Sequence, residues 1–366
     1  MRITLTIPSL AFGGAERVLT ILANAWIARG WEVTLISLND SAWASFFELD
    51  PHVHWIRLGL LKEVANPLAG LWNNFLRVRA LRKAIRKSNP QVVISFIETM
   101  NVLTLVAIRD LNIPIIISER TDPAKHRIGP VWNCLRTLLY PSACRLVVIC
   151  NNNQAFFKPL LAERVCTIPN PIFPPPVVQG ETPFLPQRPF VIAAGRLSHE
   201  KGHDLLIRAF ARLGDHHPDW NLVILGEGSQ RSELERLVFE FRLGERVFLP
   251  GRVKNPYDYY LKADLFVLPS RYEGFGNVLG EAMACGMPVV AANCSPGVAE
   301  VVQDGVNGLL AEPDDVDSLT AAMDNLMSDI GRRANLGEQA RLTSERFSLD
   351  SVMTLWENLI RELTTI

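Results

Sequence analysis

The sequence predicts an α/β protein built from two doubly wound domains, each a parallel sheet covered by helices. Three observations lead there. Short apolar segments alternate with longer helical ones along most of the 366 residues. Several of the short segments, such as VVISF, PIIIS, LVVIC and LFVLP, are apolar on both faces, as parallel strands under helices must be. Proline then divides the chain: eight of its 24 prolines fall between Pro169 and Pro189. Such a stretch can run neither a helix nor a central strand, and reads as an extended linker over residues 171–189. The first domain is therefore expected at 1–170 and the second at 190–348.

Strands are expected near residues 3–7, 32–37, 92–96, 113–118 and 146–150, then near 190–194, 222–225, 265–268 and 288–291. Ligands of such sheets bind beyond the carboxyl ends of the strands, here in the cleft between the domains. The last segment, LDSVMTLWENLIRELT, places Val352, Leu355, Trp356, Leu359, Ile360 and Leu363 at helical spacing. With 48% apolar and 20% charged residues, the chain has ample core and little case for disorder. No apolar run reaches the roughly 18–20 residues of a membrane span. The opening MRITLTIPSL reads as a strand and not as a signal segment, so a cytoplasmic protein is expected. Six cysteines show neither a CxxC pair nor Cys/His metal spacing, and neither disulfides nor zinc are expected.

The formal net charge of −1 hides an asymmetry. Residues 1–180 carry 19 Lys and Arg against 11 Asp and Glu, a net +8; residues 181–366 carry 18 against 27, a net −9. The first half is thus the one that calls for an anionic partner.

Three segments that follow strands combine glycine with charge. In Phe12-Gly13-Gly14-Ala15-Glu16-Arg17 two glycines let the backbone turn sharply at a helix start, which offers free amides to an anion; a plain strand–helix turn reads equally well. In Gly195-Arg196-Leu197-Ser198-His199-Glu200-Lys201-Gly202 a fork donor and a point charge stand five apart, which suits a diphosphate, although two exposed cations are often simply solvated. Glu273-Gly274-Phe275-Gly276-Asn277-Val278-Leu279-Gly280-Glu281 is the most informative. Its glycines before a helix would aim several amides at one point. Glu281, about one turn into that helix, could accept two ribose hydroxyls, and Glu273 in the loop could meet a sugar hydroxyl or developing positive charge.

In their order these segments resemble glycosyltransferase family 4, over essentially the whole chain. The resemblance implies the GT-B fold, two Rossmann-like domains facing across a cleft, with the last helix, residues 349–366, packing back on the first domain. It implies that Arg196 and Lys201 hold a donor diphosphate and Glu281 the ribose. It implies that Glu273, with the amides of Gly274, Phe275 and Gly276, grips the transferred sugar, and that Asn277 and Val278 amides take a phosphate. Gly13 and Gly14 would face the diphosphate and the acceptor. Transfer with retention of configuration and without a metal or other cofactor is also implied; the absence of an Asp-x-Asp tripeptide agrees with metal independence. Catalytic roles are expected for Glu273, Arg196 and Lys201.

One departure matters. Many family members carry a histidine after the mid-domain strand, where this chain has Ser118-Glu119-Arg120-Thr121-Asp122-Pro123. That run resembles the subgroup extending lipid-linked oligosaccharides, including bacterial N-acetylhexosamine and hexose transferases. Glu119 and Arg120 become candidates for contacts to the sugar or the acceptor phosphate, with a structural ion pair as the alternative.

Residues 61–90 hold Lys62, Arg77, Arg79, Arg82, Lys83, Arg86 and Lys87 against Glu63 alone. Ahead of most of that charge, Leu68, Leu71, Trp72, Phe75 and Leu76 recur at helical spacing. An apolar stripe beside a basic one suits a helix lying on an anionic membrane, with Trp72, Arg79, Arg82, Lys83, Arg86 and Lys87 at its surface. A core-facing amphipathic helix is the alternative. Nucleic acid is not expected, because no recognisable binding module is present.

The expected activity is therefore transfer of a hexose or N-acetylhexosamine from a nucleotide-diphosphate sugar, UDP favoured, to a polyprenyl-diphosphate-linked glycan in bacterial surface polysaccharide or glycoprotein glycan assembly. The expected location is the inner face of the cell membrane, as a peripheral protein. Competing readings are a nucleotide-sugar epimerase or hydrolase on the same architecture, and a non-catalytic nucleotide-sugar-binding protein. A dinucleotide oxidoreductase is disfavoured: in Gly226-Glu227-Gly228-Ser229-Gln230-Arg231, arginine stands where the third fingerprint glycine belongs.

Overall fold

Among the described residues, 13 strands pair into two sheets in which every neighbour is parallel. The computed structural model describes all residues except 12, 41, 43, 62–65, 125, 127, 174, 176–185, 187, 188, 254, 365 and 366. Most of the expected linker, together with Phe12 and Lys62, therefore lies outside the described residues. The chain divides into two units, Met1–Asn170 with Asp350–Ile366, and Pro171–Leu349.

The first unit contains β1 (Arg2–Ile7), α1 (Gly14–Ala28), β2 (Glu32–Ser37), β3 (His54–Arg57), α2 (Pro67–Ser88), β4 (Val92–Phe96), α3 (Glu98–Ile108), β5 (Ile115–Ser118), α4 (Pro130–Leu139), β6 (Arg145–Val148), α5 (Asn151–Leu161) and β7 (Val165–Thr167). Its strand order is β3-β2-β1-β4-β5-β6-β7, so the winding reverses between β1 and β4. All of β4 and β5 is buried, because helices cover both faces of the sheet.

The second unit contains β8 (Phe190–Ala194), α6 (His203–Arg212), β9 (Asn221–Leu225), α7 (Arg231–Glu240), β10 (Val247–Gly251), α8 (Tyr257–Tyr260), β11 (Leu265–Leu268), α9 (Asn277–Ala284), β12 (Val289–Ala292), α10 (Pro296–Val301), β13 (Leu309–Ala311), α11 (Val316–Ser328) and α12 (Ile330–Glu345). Its order, β10-β9-β8-β11-β12-β13, reverses between β8 and β11. In each sheet that reversal marks where a ligand is expected.

The nine strands expected from the sequence are present. The four strands it did not reveal, β3, β7, β10 and β13, are the four sheet edges. They run three to five residues and lack the two-sided burial that marks the inner strands. Strand β10 even contains Pro250, which an edge tolerates because one side of the strand has no ladder to complete.

Helix α13 (Leu349–Thr364) closes the chain on the first unit. Val352, Met353, Trp356, Leu359 and Ile360 are buried, whereas Leu355 is 45% exposed, against the expectation that it joins the apolar face. The Trp356 ring meets Trp26 edge-on at 6.2 Å and stacks on Phe96 at 6.1 Å. Arg29, just past the end of α1, pairs with Asp350 at 2.7 Å and Glu357 at 3.0 Å, pinning the same helix. Full burial of aromatic rings of this size stabilises by about 1.5–3 kcal/mol each.

Candidate active site

In the second unit the chain leaves β8 through Gly195 and enters a short 3-10 helix, His199–Lys201, before α6. Gly202 has φ +65°, and a Cβ there would stand 2.0 Å from the carbonyl oxygen of Pro269. Glycine is therefore what lets the loop after β8 lie against the loop after β11. Two backbone bonds zip these loops together: the amides of Arg271 and Tyr272 both donate to the Glu200 carbonyl, at 2.9 and 3.3 Å. Arg271 adds a side-chain tie. It grips Asp204 with both terminal nitrogens at 2.7 and 2.8 Å, Asp314 through Nε at 2.7 Å, and the His199 carbonyl at 2.9 Å.

Held this way, Lys201 Nζ lies 2.6 Å from Glu273 Oε1, which also accepts the Ser270 hydroxyl at 2.8 Å. The lysine side chain is 25% exposed and the carboxylate 8%, so the pair sits at a mouth with its acid on the inner side. Arg196 is exposed, and its guanidinium makes no ion pair among the described residues. Gly276, with φ +76°, caps α9. Its carbonyl is first reached by the amides of Leu279 and Gly280, so those of Asn277 and Val278 precede the first intrahelical bonds. Phe275 turns its ring inward onto Phe347 at 5.6 Å, leaving its backbone to line the loop. Gly274 is approached closely by Gly297, where a Cβ would come within 2.0 Å of its carbonyl oxygen. Glu281 is buried at 3% exposure. Burial first, then the Glu281 charge, push the neighbouring Cys285 thiol up to about 12, so this cysteine stays protonated. Beneath the loop, His203 is buried with neither ring nitrogen hydrogen-bonded among the described residues, and burial and Lys201 lower it to about 4.

At the carboxyl end of the first sheet, Gly13 is extended and precedes α1, which Gly14 opens in an exposed position. A Cβ on Gly13 would meet the Glu16 carboxylate at 2.2 Å, so this glycine leaves room for the acid to fold back over the turn. Glu119 and Arg120 do not form the ion pair that the sequence offered as an alternative. They are buried at 1% and 7% exposure. Glu119 Oε1 accepts the Tyr140 hydroxyl at 2.5 Å. Burial, then the Glu98 charge, raise its carboxyl to about 7. Arg120 donates through one nitrogen to the Ile168 carbonyl (3.3 Å) and Asn170 Oδ1 (3.0 Å), and stacks over Phe96 and Trp356 at 4.8 and 5.5 Å. Both side chains are internal struts, turned away from solvent, because the polar run after β5 enters the core before it reaches the surface.

The comparisons with known proteins agree on the family. A model described as Glycosyltransferase Family 4 matches residues 12–174, and one described as Glycosyl transferases group 1 matches residues 179–343. A Campylobacter jejuni protein is 30% identical over 99% of both chains; it is named GalNAc-alpha-(1->4)-GalNAc-alpha-(1->3)-diNAcBac-PP-undecaprenol alpha-1,4-N-acetyl-D-galactosaminyltransferase. This chain is a family 4 glycosyltransferase. A second C. jejuni relative, 32% identical over 93% of each chain, is named N-acetylgalactosamine-N,N'-diacetylbacillosaminyl-diphospho-undecaprenol 4-alpha-N-acetylgalactosaminyltransferase. Among solved structures, sucrose-phosphate synthase from Thermosynechococcus elongatus matches with TM-score 0.83 and 23% identity, covering 99% of each chain. Anabaena HepE in complex with UDP matches with TM-score 0.81 and 20% identity, covering 99% of this chain and all of that one. The fold is GT-B.

In the glycosyltransferase, α2 differs from the sequence reading in an instructive way. Its start is fixed by Asn66, whose side chain accepts the Ala69 amide at 2.7 Å, and by Pro67 in the first turn. Leu68, Leu71, Trp72 and Phe75 are 54–79% exposed, and Trp72 stacks on Phe75 at 5.4 Å. The core-facing alternative therefore fails for this stretch. Residues 68, 72, 75, 79, 83 and 86 follow one helix face at steps of three and four. The apolar and basic stretches lie end to end on that face, not side by side. Arg79, Lys83, Arg86 and Lys87 are exposed, but Arg82 is drawn inward: its guanidinium donates to the Ala107 carbonyl at 3.1 Å and stands 3.9 Å from Asp110. No helix among the described residues is long and apolar enough to cross a membrane.

Sequence reasoning missed two sets of residues. Arg271 stands two residues before the Glu273–Glu281 segment, and its partners Asp204 and Asp314 are remote in sequence. Glu98 and His126 were also missed; they meet at 3.0 Å beside Glu119 only because β4 and β5 are neighbours.

Proposed function

We propose that this glycosyltransferase moves a hexose or N-acetylhexosamine from a nucleotide-diphosphate sugar, UDP favoured, to a polyprenyl-diphosphate-linked glycan in bacterial glycan assembly. The observation that carries the reading is the meeting of Lys201, Glu273 and Ser270 where the second sheet reverses its winding, beside the glycine-capped start of α9. Breaking a nucleotide–sugar bond leaves a diphosphate with new negative charge and a sugar with oxocarbenium character. Cations and amides fixed in advance lower that barrier, because they need no reorganisation as charge develops.

In this reading Lys201 and Arg196 neutralise the diphosphate while the start of α9 offers the amides of Asn277 and Val278 to a phosphate oxygen. Glu273, with the amides of Gly274, Phe275 and Gly276, holds the sugar, and Glu281 the ribose hydroxyls. The Lys201–Glu273 pair keeps both side chains in place before the donor arrives. The acceptor oxygen bonds to the anomeric carbon as the carbon–phosphate-oxygen bond breaks on the same face. The acceptor proton passes to the departing phosphate oxygen, and configuration is retained. The protein supplies the neutralising charge without a metal. Gly13 and Gly14 allow close approach of the first unit's backbone to donor and acceptor.

The acceptor class is supported by the names of the two Campylobacter relatives, and the nucleotide by the UDP complex of the Anabaena protein. The exposed face of α2 supports docking at the inner face of the cell membrane, its apolar end among acyl chains and its basic end at lipid phosphates. Nucleic acid has no place in this reading. The test offers a panel of nucleotide sugars with a polyprenyl-diphosphate glycan and follows the acceptor by mass and anomeric NMR. One added sugar in retained configuration, unchanged by EDTA, is expected. Equal sugar release without any acceptor would make the protein a hydrolase and overturn the proposal.

A further inference from the structure

A polar cluster outside the donor loops lies at the carboxyl end of the first sheet. It starts from backbone strain. Ile97, between β4 and α3, has φ +74°, a conformation a β-branched residue rarely adopts. Strain of this kind persists only where the surroundings enforce it. Here the Ile97 amide donates to the Ser118 carbonyl at 3.3 Å, and its carbonyl receives the Asn101 amide at 2.8 Å. The consequence is positional: Glu98 opens α3 at the point where the strand order reverses.

From the loop after β5, His126 comes to meet it. The His126 amide donates to the Asp122 carbonyl at 2.9 Å, and Asp122 Oδ1 accepts the Ala124 amide at 3.0 Å, so the loop is shaped before the imidazole is placed. His126 Nε2 lies 3.0 Å from Glu98 Oε1. The carboxylate is 10% exposed and the imidazole 40%, so the acid anchors the ring and the ring faces outward. An ionised carboxylate only accepts, which places a proton on Nε2; in the neutral imidazole Nδ1 is then the acceptor. Nδ1 has no hydrogen-bond partner among the described residues. Behind the pair, Glu119 and the Tyr140 hydroxyl complete a buried wall.

An outward-facing acceptor backed by a carboxylate selects its ligand. A phosphate oxygen would meet like charge and find no proton to share with Nδ1. A sugar hydroxyl donates to Nδ1 and keeps its own lone pairs free. We propose that His126, held by Glu98, binds a hydroxyl of the acceptor's terminal sugar and thereby positions that sugar for attack. This rests on the glycosyltransferase reading given above and assigns the saccharide end of the acceptor to Glu98 and His126. It leaves the lipid phosphates to the basic face of α2.

The experiment measures transfer kinetics at varied acceptor and saturating donor, with UDP affinity determined in parallel by calorimetry. His126→Ala is expected to raise the acceptor KM about tenfold, the loss of one hydrogen bond of about 1.4 kcal/mol, while UDP affinity stays unchanged. His126→Asn, whose side-chain oxygen falls near the Nδ1 position, is expected to recover most of that loss. His126→Gln, which reaches instead toward Nε2, is expected not to. Glu98→Gln tests the anchor without emptying its space and is expected to raise the same KM. An unchanged acceptor KM in a folded His126→Ala protein overturns the proposal, as does equal recovery by Asn and Gln. If the unaltered protein transfers no sugar to any lipid-linked glycan, the functional reading itself falls, and this inference with it.

Discussion

The two sheets end in loops of opposite construction. In the second unit, cations and carboxylates are tied to one another before any ligand arrives: Lys201 to Glu273, and Arg271 to Asp204 and Asp314. In the first, the buried polar groups Glu119, Tyr140 and Arg120 are wall material, and what faces solvent is an imidazole and the long stripe of α2. A site for a small, highly charged group benefits from rigid preorganisation. A surface for a long amphipathic ligand needs separate contacts spread along its length. Under the proposed function, the difference would let an acidic unit hold an anion: a few local cations and aimed amides decide, and the unit's total charge does not.

The contrast is broken most severely at Lys201. Lys201→Ala should lower kcat about a thousandfold and weaken UDP binding, because it removes the leaving-group charge and leaves Glu273 without its partner. Glu273→Gln should lower kcat strongly with a smaller change in UDP affinity. Next is the surface of α2. Replacing Arg79, Lys83 and Arg86 together by Gln should reduce partition onto anionic vesicles about a hundredfold, at about 1 kcal/mol per basic residue, with UDP affinity untouched. Reversing Arg82 should instead cost thermal stability, since its guanidinium serves α3. A smaller effect, about tenfold in kcat/KM, is expected for Arg271→Ala, which loosens both donor loops without removing a donor contact.

The gentlest test uses pH, and the two units should respond in opposite senses. Glu119 titrates near 7 in the folded chain against an ordinary value of 4.5. Its contribution is full below 4.5 and is lost as pH rises through 7. His203 titrates near 4 against 6.5, so its contribution is present above 6.5 and lost as pH falls toward 4. Calorimetry should show Glu119→Gln gaining a few degrees of Tm relative to the unaltered protein on the alkaline side. His203→Leu should gain on the acid side. Parallel profiles for both variants would remove these two groups as the cause.

What the sequence made legible follows the range of the forces involved. Inner strands such as Val92–Phe96 announce themselves because burial on both faces forces a continuous apolar run. The edge strand Leu309–Ala311 is three residues long and is defined by its neighbour, not by its own pattern. The glycine loops were readable because positive φ and close backbone approach demand glycine locally, as at Gly202 and Gly276. Pairings across the sheet were not. Glu119 and Arg120 looked like surface chemistry because their run is polar, and only the packing of Tyr140, Phe96 and Trp356 around them shows that they face inward.

The return of α13 to the first unit has a consequence for the order of assembly during synthesis. The second unit, Pro171–Leu349, is one uninterrupted stretch and can fold as soon as it leaves the ribosome. The first unit is built from two separate stretches, and Trp26, Phe96 and the Arg120 guanidinium from the earlier one meet Trp356 from the later one. Those contacts can close only after the whole of the second unit has been made, so completion of the first unit spans the synthesis of the second.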